Sequence, residues 1–227
     1  MVKKHRTAFM DETELRTRLI SGLKELNLEL DDRKLDQLVQ YVGLLGKWNR
    51  IYNLTAIRDT EQMLTHHLLD SLTVIPWVSH CKHLLDVGSG GGLPGLIIAI
   101  VCPDMAVEMI DIVSKKTAFI RQVAIEMGLN NVKVHTGRVE ELSTDSPFDG
   151  IISRAFSCIP DFVALTSHLL SEKGRYYAMK GLIPEDEISN LDRQWKTAGI
   201  VSLAVPQLDA QRHLVIMEKN PSISILE

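Results

Sequence analysis

Cysteine is scarce in this chain: 227 residues hold three, Cys81, Cys102 and Cys158, far apart and without a C-x-x-C pair. Such spacing builds neither a zinc framework nor a disulfide scaffold, and it implies a reducing, cytoplasmic compartment. No apolar run approaches the ~18 residues of a membrane span, so no membrane segment is expected. The N-terminal MVKKHRTAFM is basic, but no apolar stretch follows it, which argues against a secretory signal. An excess of positive charge is also missing. With a net charge of −4 and a pI near 6.1, any nucleic-acid contact has to come from a local patch. The adjacent His66 and His67 point in different directions on a helix and lack an H-E-x-x-H or acid-partner spacing, so no metal is expected. Internal repeats and low-complexity tracts are absent.

What the chain does have is glycine concentrated at one place. His83 to Val87 is a short apolar run containing Asp86, and five glycines follow within eight positions, Gly88 to Gly95, before the apolar LIIAIVC. This reads as a buried strand, a turn and a helix N-terminus, with Pro94 suited to the first helical turn. Glycine lets a ligand approach the backbone, and the helix start offers unpaired N–H groups. Two frames compete. Gly90-x-Gly92-x-x-Gly95, with Asp111 at about the expected ~20-residue interval, satisfies the dinucleotide fingerprint. Asp86-x-Gly88-x-Gly90-x-Gly92 resembles motif I of class I S-adenosylmethionine-dependent methyltransferases. An acid at the strand tip suits a ligand carrying an ammonium and repels a pyrophosphate.

The surrounding pattern decides the fold class. Leucines at spacings of three and four predict a helix from Glu12, and Asp31 or Asp32 caps a second one whose apolar stripe reaches Trp48. The polar-aromatic run 48–55 is expected to break that helix, and Thr60 to cap a third through Ser71. Strands are expected at 83–87, 105–111, 131–135, 148–153 and 174–180, with helices at about 94–102, from a Ser114 cap to Gly128, and within 160–171. Pro184 opens another helix, and two β-rich runs, 199–205 and 213–218, close the chain. Alternating β-α units require a parallel sheet with helices on both faces. The final pair has no helix between its strands and forms an antiparallel hairpin. The expectation is an α/β, Rossmann-like seven-stranded sheet over 79–227, with an arm and helical extension over 1–78 packed on it. Ligands in such sheets sit beyond the carboxyl ends of the strands, so Asp111, at the tip of the second strand, is placed to accept both ribose hydroxyls of a nucleoside.

Ser153-Arg154-Ala155-Phe156 ends the fourth strand where amino-methylating enzymes of DNA bases carry an N-P-P-Y type loop, which disfavours that chemistry. Cys158 lacks an adjacent activating base and reads as a small hydrophobe. Methyl transfer to an already nucleophilic group is left.

KWNRIYNLT, HHLLDSL, LLDVGSGGGLPG, PFDGIISRAF and YYAMKG together resemble the bacterial 16S ribosomal RNA methyltransferase G family, over roughly residues 30–218. The resemblance implies a soluble monomer that uses S-adenosyl-L-methionine to methylate N7 of a guanine in the 530 loop of 16S rRNA, nucleotide position 527, within the 30S subunit. Carried over by motif, the donor contacts fall on Gly88, Leu93, Val139, Glu140 and Arg154, beside Asp111. Val139 is suited to pack on an adenine face, and Arg154 to hold the donor, the RNA or a carboxylate. Phe156 or Tyr52 is a stacking candidate for the base, and Lys3, Lys4, Arg6, Arg50, Arg58, Arg154 and Lys180 are phosphate candidates. Three other readings stand beside it: a small-molecule methyltransferase, a nicotinamide oxidoreductase using the Gly90–Gly95 frame, and a non-catalytic binding module.

Overall fold

The computed structural model describes residues 10–154, 156 and 158–221. The arm residues Lys3, Lys4 and Arg6, and Ala155 of the fourth-strand motif, lie outside this set. From Glu12 to Val78 the elements are helical: α1 (Glu12–Glu25), α2 (Asp32–Tyr52), α3 (Thr60–Met63), a π-helical turn (Leu64–Leu69), α4 (Asp70–Leu72) and α5 (Ile75–Val78). Asp11 and Asp31 cap α1 and α2 by accepting from Glu14 N and Lys34 N, each at 2.8 Å. Each cap satisfies one of the N–H groups a helix start leaves unpaired.

Two expectations in the helical extension are corrected. Asp59, not Thr60, caps α3, accepting from Glu61 N and Gln62 N. The run 48–55 does not break α2, which continues to Tyr52 and stops at Asn53 in the left-handed region (φ 50°). Trp48 and Tyr52 lie one turn apart and stack at 5.1 Å. Within that run Asn49 is buried and reaches past the helix end, donating to Ile57 O and accepting from Thr55 N, both at 2.8 Å.

From His83 the chain alternates: β1 (His83–Val87), α6 (Gly95–Val101), β2 (Ala106–Asp111), α7 (Ser114–Glu126), β3 (Val132–Thr136), a 3-10 turn (Val139–Glu141), β4 (Phe148–Ser153), α8 (Ile159–Thr166), β5 (Leu170–Lys180), α9 (Glu185–Ser189), β6 (Trp195–Ser202) and β7 (His213–Lys219). The seven strands order as β3-β2-β1-β4-β5-β7-β6. The first five are parallel, and β7 lies antiparallel between β5 and β6. The sequence hides the start of β5. Leu169 and Leu170 continue the helical period of α8, yet Leu170 pairs with Phe148, and a bulge precedes the Gly150–Arg175 pairing. Val113, not Ser114, stands at the N-cap of α7, with no side-chain cap.

One apolar core runs from Leu15, Leu38 and Leu45 of the helical extension through Leu96 and Phe119 to Val107, Ile152 and Leu214 of the sheet. The opposite sheet face packs Leu85, Ile151 and Tyr176 against Phe162 of α8. The extension therefore packs on the same side as α6 and α7, and it also reaches the glycine turn: buried Tyr41 of α2 donates to Gly91 O at 2.8 Å.

Candidate active site

The turn after β1 is tied to the tip of β2. Gly88 N and Ser89 N donate to Ile110 O at 2.9 and 3.2 Å, and Gly92 N and Leu93 N close on Ser89 O. Gly88, Gly90 and Gly92 have φ of 72°, 56° and 82°, a region that side chains with a Cβ disfavour. A Cβ placed on Gly88 would meet nothing within 4 Å, whereas one on Gly92 would stand 2.3 Å from Leu96 Cδ1. Gly88 thus faces open space, and Gly92 is needed for packing.

That open space is a cleft of about 460 Å³ beyond the carboxyl ends of the strands, walled by Gly88, Asp111, Lys116, Val139, Glu140 and Phe156, among others. The volume lies within the usual range for small-ligand sites. Asp111 is buried, and its carboxylate accepts from Gly90 N and Val113 N, both at 2.9 Å, with Lys116 Nζ at 3.7 Å. Each oxygen retains acceptor capacity. Val139 is buried apolar wall. Glu140 meets Arg138 at 2.9 Å, and its own backbone N–H together with that guanidinium holds its carboxyl below the usual range.

The structure brings Gly88, Asp111, Val139 and Glu140 into this one cleft, but not Leu93 or Arg154. Leu93 is buried, and its N–H closes the turn on Ser89 O at 2.9 Å. Arg154 lines a second pocket of about 320 Å³, with Ile57, His67, Asp70, Lys180 and Arg212. Its Nη1 donates to His66 O at 3.1 Å and to Asp70 Oδ2 at 3.3 Å. Arg212 Nε donates to the other Asp70 oxygen at 3.1 Å. Sequence reasoning assigns no role to Asp70 or Arg212. HHLLDSL is a recognisable pattern, but nothing local in it announces two arginine partners 84 and 142 residues away.

Asp86 does not do what its position at the strand tip implies. It is fully buried, and its Oδ2 accepts from Gly95 N at 2.9 Å, while Oδ1 has no partner. Burial pushes its pKa up to about 7. The same bond counts against the dinucleotide reading, because it takes up the N–H of Gly95, one of the groups that a pyrophosphate at the start of α6 would use. Cys158 is held as a thiol, its pKa raised chiefly by a hydrogen bond with Asp161, and so it is not poised as a nucleophile. Among the described residues, no group of three or more His, Cys, Asp or Glu side chains could hold a metal, and no helix is long and apolar enough to cross a membrane.

Strand order, terminal hairpin and glycine turn together define the class I S-adenosylmethionine-dependent methyltransferase fold. Among solved structures, the O-methyltransferase TomG from Streptomyces achromogenes, in complex with SAM, matches at TM-score 0.59 and 12% identity, covering 93% of this chain and 100% of that one. Within that class, the family model for rRNA small subunit methyltransferase G matches residues 34–215. Ribosomal RNA small subunit methyltransferase G of Ralstonia nicotianae is 50% identical, covering 89% of this chain and 94% of its own length. The Janthinobacterium protein of that name is 46% identical, covering 92% of this chain and 97% of its own. The chain belongs to the rRNA small subunit methyltransferase G family.

Proposed function

We propose that this enzyme methylates N7 of a guanine in the 530 loop of 16S rRNA, at nucleotide position 527, acting as a cytoplasmic monomer on the 30S subunit. The family match over residues 34–215 carries this reading. S-adenosylmethionine is the proposed donor, and the residues of the cleft fit it. Open backbone at Gly88, the carboxylate of Asp111 at the cleft wall and the apolar surface of Val139 suit the methionine stem, the ribose and the adenine respectively. When bound, that donor supplies a methyl group on an already activated sulfonium.

The protein's own task is then placement. Guanine N7 has a lone pair and no proton to lose, so no general base is required. Asp111, fixed by two backbone N–H groups, orients the ribose without moving. Preorganisation of this kind avoids reorganisation at the moment of reaction. Phe156, packed on Phe162 at 5.5 Å, borders the cleft and offers a face for the unstacked base.

The test is transfer of labelled methyl to 30S subunits from a strain lacking this activity, with the modified base mapped. Label at N7 of the predicted guanine is expected. Donor binding without transfer to any rRNA overturns the reading.

A further inference from the structure

The second pocket is assembled from distant parts of the chain: Asp70 and His67 from the helical extension, Arg154 from the end of β4, Lys180 from the end of β5 and Arg212 from the loop before β7. Its centre is Asp70, whose side chain is 3% exposed and binds one guanidinium with each oxygen. Two arginines against one carboxylate leave a positive charge over. Lys180 is matched by Glu187 at 2.8 Å. His67 adds no charge near neutrality, because burial and then the Arg154 charge lower its pKa to about 4.

The donors are not used up. Arg154 makes its bonds through Nη1 alone, and Arg212 through Nε and Nη1. Arg154 Nε and Nη2 and Arg212 Nη2 have no acceptor among the described residues. They are nevertheless fixed in place, since the two side chains are only 24% and 26% exposed. Held arginine forks with spare N–H groups match the oxygens of a phosphate. The O6/N7 edge of guanine would match them too, but that contact would occupy the nitrogen that has to stay free. Position agrees with a phosphate close to the reacting base. Arg154 lies two residues before Phe156 of the donor cleft, and its charge is felt by Asp86 beneath the glycine turn.

We propose that this pocket grips a backbone phosphate of the acceptor RNA next to the target guanine, with Arg212 as a contact and Asp70 as the residue that positions both arginines. The inference rests on the rRNA reading above. It is tested with Arg212→Met, which keeps the stem and removes the charge, and with Arg212→Lys. Methyl transfer to 30S subunits is followed across a salt series, and donor affinity is measured by calorimetry. For Arg212→Met, the expected KM for 30S rises at least about 10-fold, while the donor Kd stays within about 2-fold. The slope of log kcat/KM against log salt becomes shallower by about 0.7–1. Arg212→Lys restores the slope with part of the KM.

A merely structural Arg212 would lower the unfolding midpoint of both variants and leave the salt slope unchanged, which overturns the proposal. Parallel loss of donor affinity also overturns it, by assigning the pocket to the donor. If Arg212→Met fails to fold, an unchanged salt slope and KM in Arg212→Lys, together with a lowered midpoint, overturns it equally. Wild-type protein that methylates no rRNA defeats the functional reading itself, and that outcome is distinct because it needs no variant.

Discussion

Asp86→Asn isolates the cost of a carboxylate that the fold buries almost without compensation. Only Oδ2 has a partner, the N–H of Gly95, and Oδ1 has none. Burial raises the pKa from 3.8 to about 7, a difference worth about 4 kcal/mol between the two protonation states. The folded protein therefore binds this proton more tightly than the unfolded chain does. Stability contributed by the protonated form is present in full below the unfolded pKa and is lost as pH rises through about 7. Asparagine keeps the oxygen that accepts from Gly95 and cannot ionise. Its amide takes the place of Oδ1 and leaves a donor unpaired, costing about 1–3 kcal/mol at every pH. Urea unfolding of both proteins from pH 4 to pH 8 separates the two effects. The wild type should be the more stable near pH 4, and its advantage should shrink by about 4 kcal/mol by pH 8, so that the variant equals or exceeds it there. A stability difference that stays constant across the range would refute the reasoning, since it would mean that Asp86 titrates alike in both states.

Asp111→Ala should weaken S-adenosylmethionine binding at least about 10-fold by calorimetry, as it removes a carboxylate on the cleft and unties Gly90 and Val113; an unaltered Kd counts against the ribose role. Gly92→Ala combines a φ of 82° with a Cβ 2.3 Å from Leu96, and it should lower stability in urea by about 2–4 kcal/mol. Glu108 receives His135, His83 at 3.1 Å and Lys133 at 3.2 Å. Burial alone would raise its pKa, but these three bonds outweigh it and lower it. Its contribution is therefore present above the unfolded carboxylate pKa and lost as pH falls. Glu108→Gln should cost about 1–2 kcal/mol at pH 7 and less at pH 4, and a loss that grows toward acid pH would show the sign to be wrong.

The sheet is legible in the sequence because strand periodicity and glycine punctuation are local. Strands β1 to β4 and β7 start within a residue or so of where alternation predicts, and the terminal hairpin follows from the lack of an intervening helix. β5 begins earlier than expected because Leu169 and Leu170 satisfy two periodicities at once, and only the pairing with Phe148 chooses between them. Gly88, Asp111, Val139 and Glu140 meet in one cleft because topology sends the ends of β1, β2 and β3 to one edge of the sheet, while Leu93 turns into the core instead. Asp86 is different, because spacing locates a carboxylate without saying which way it faces. Asp70 and Arg212 are invisible for another reason: their meaning lies in a contact between segments 142 residues apart. Asn49 shows the converse, a polar residue in a conspicuous motif whose task is to hold the loop 53–57 in place.

The position of β7 constrains the order in which the molecule can be made. Strands β1 to β5 pair only with one another until β7 is made, and β6, which comes before β7 in the chain, has no strand to pair with. Its neighbour is β7, the last strand among the described residues, which lies between β5 and β6. Until then β5 presents an unpaired edge, open to other nascent chains. Arg212 arrives with the same final segment. Without that segment Asp70 lacks one of its two guanidinium partners, so the second pocket waits on the part of the chain that carries β7.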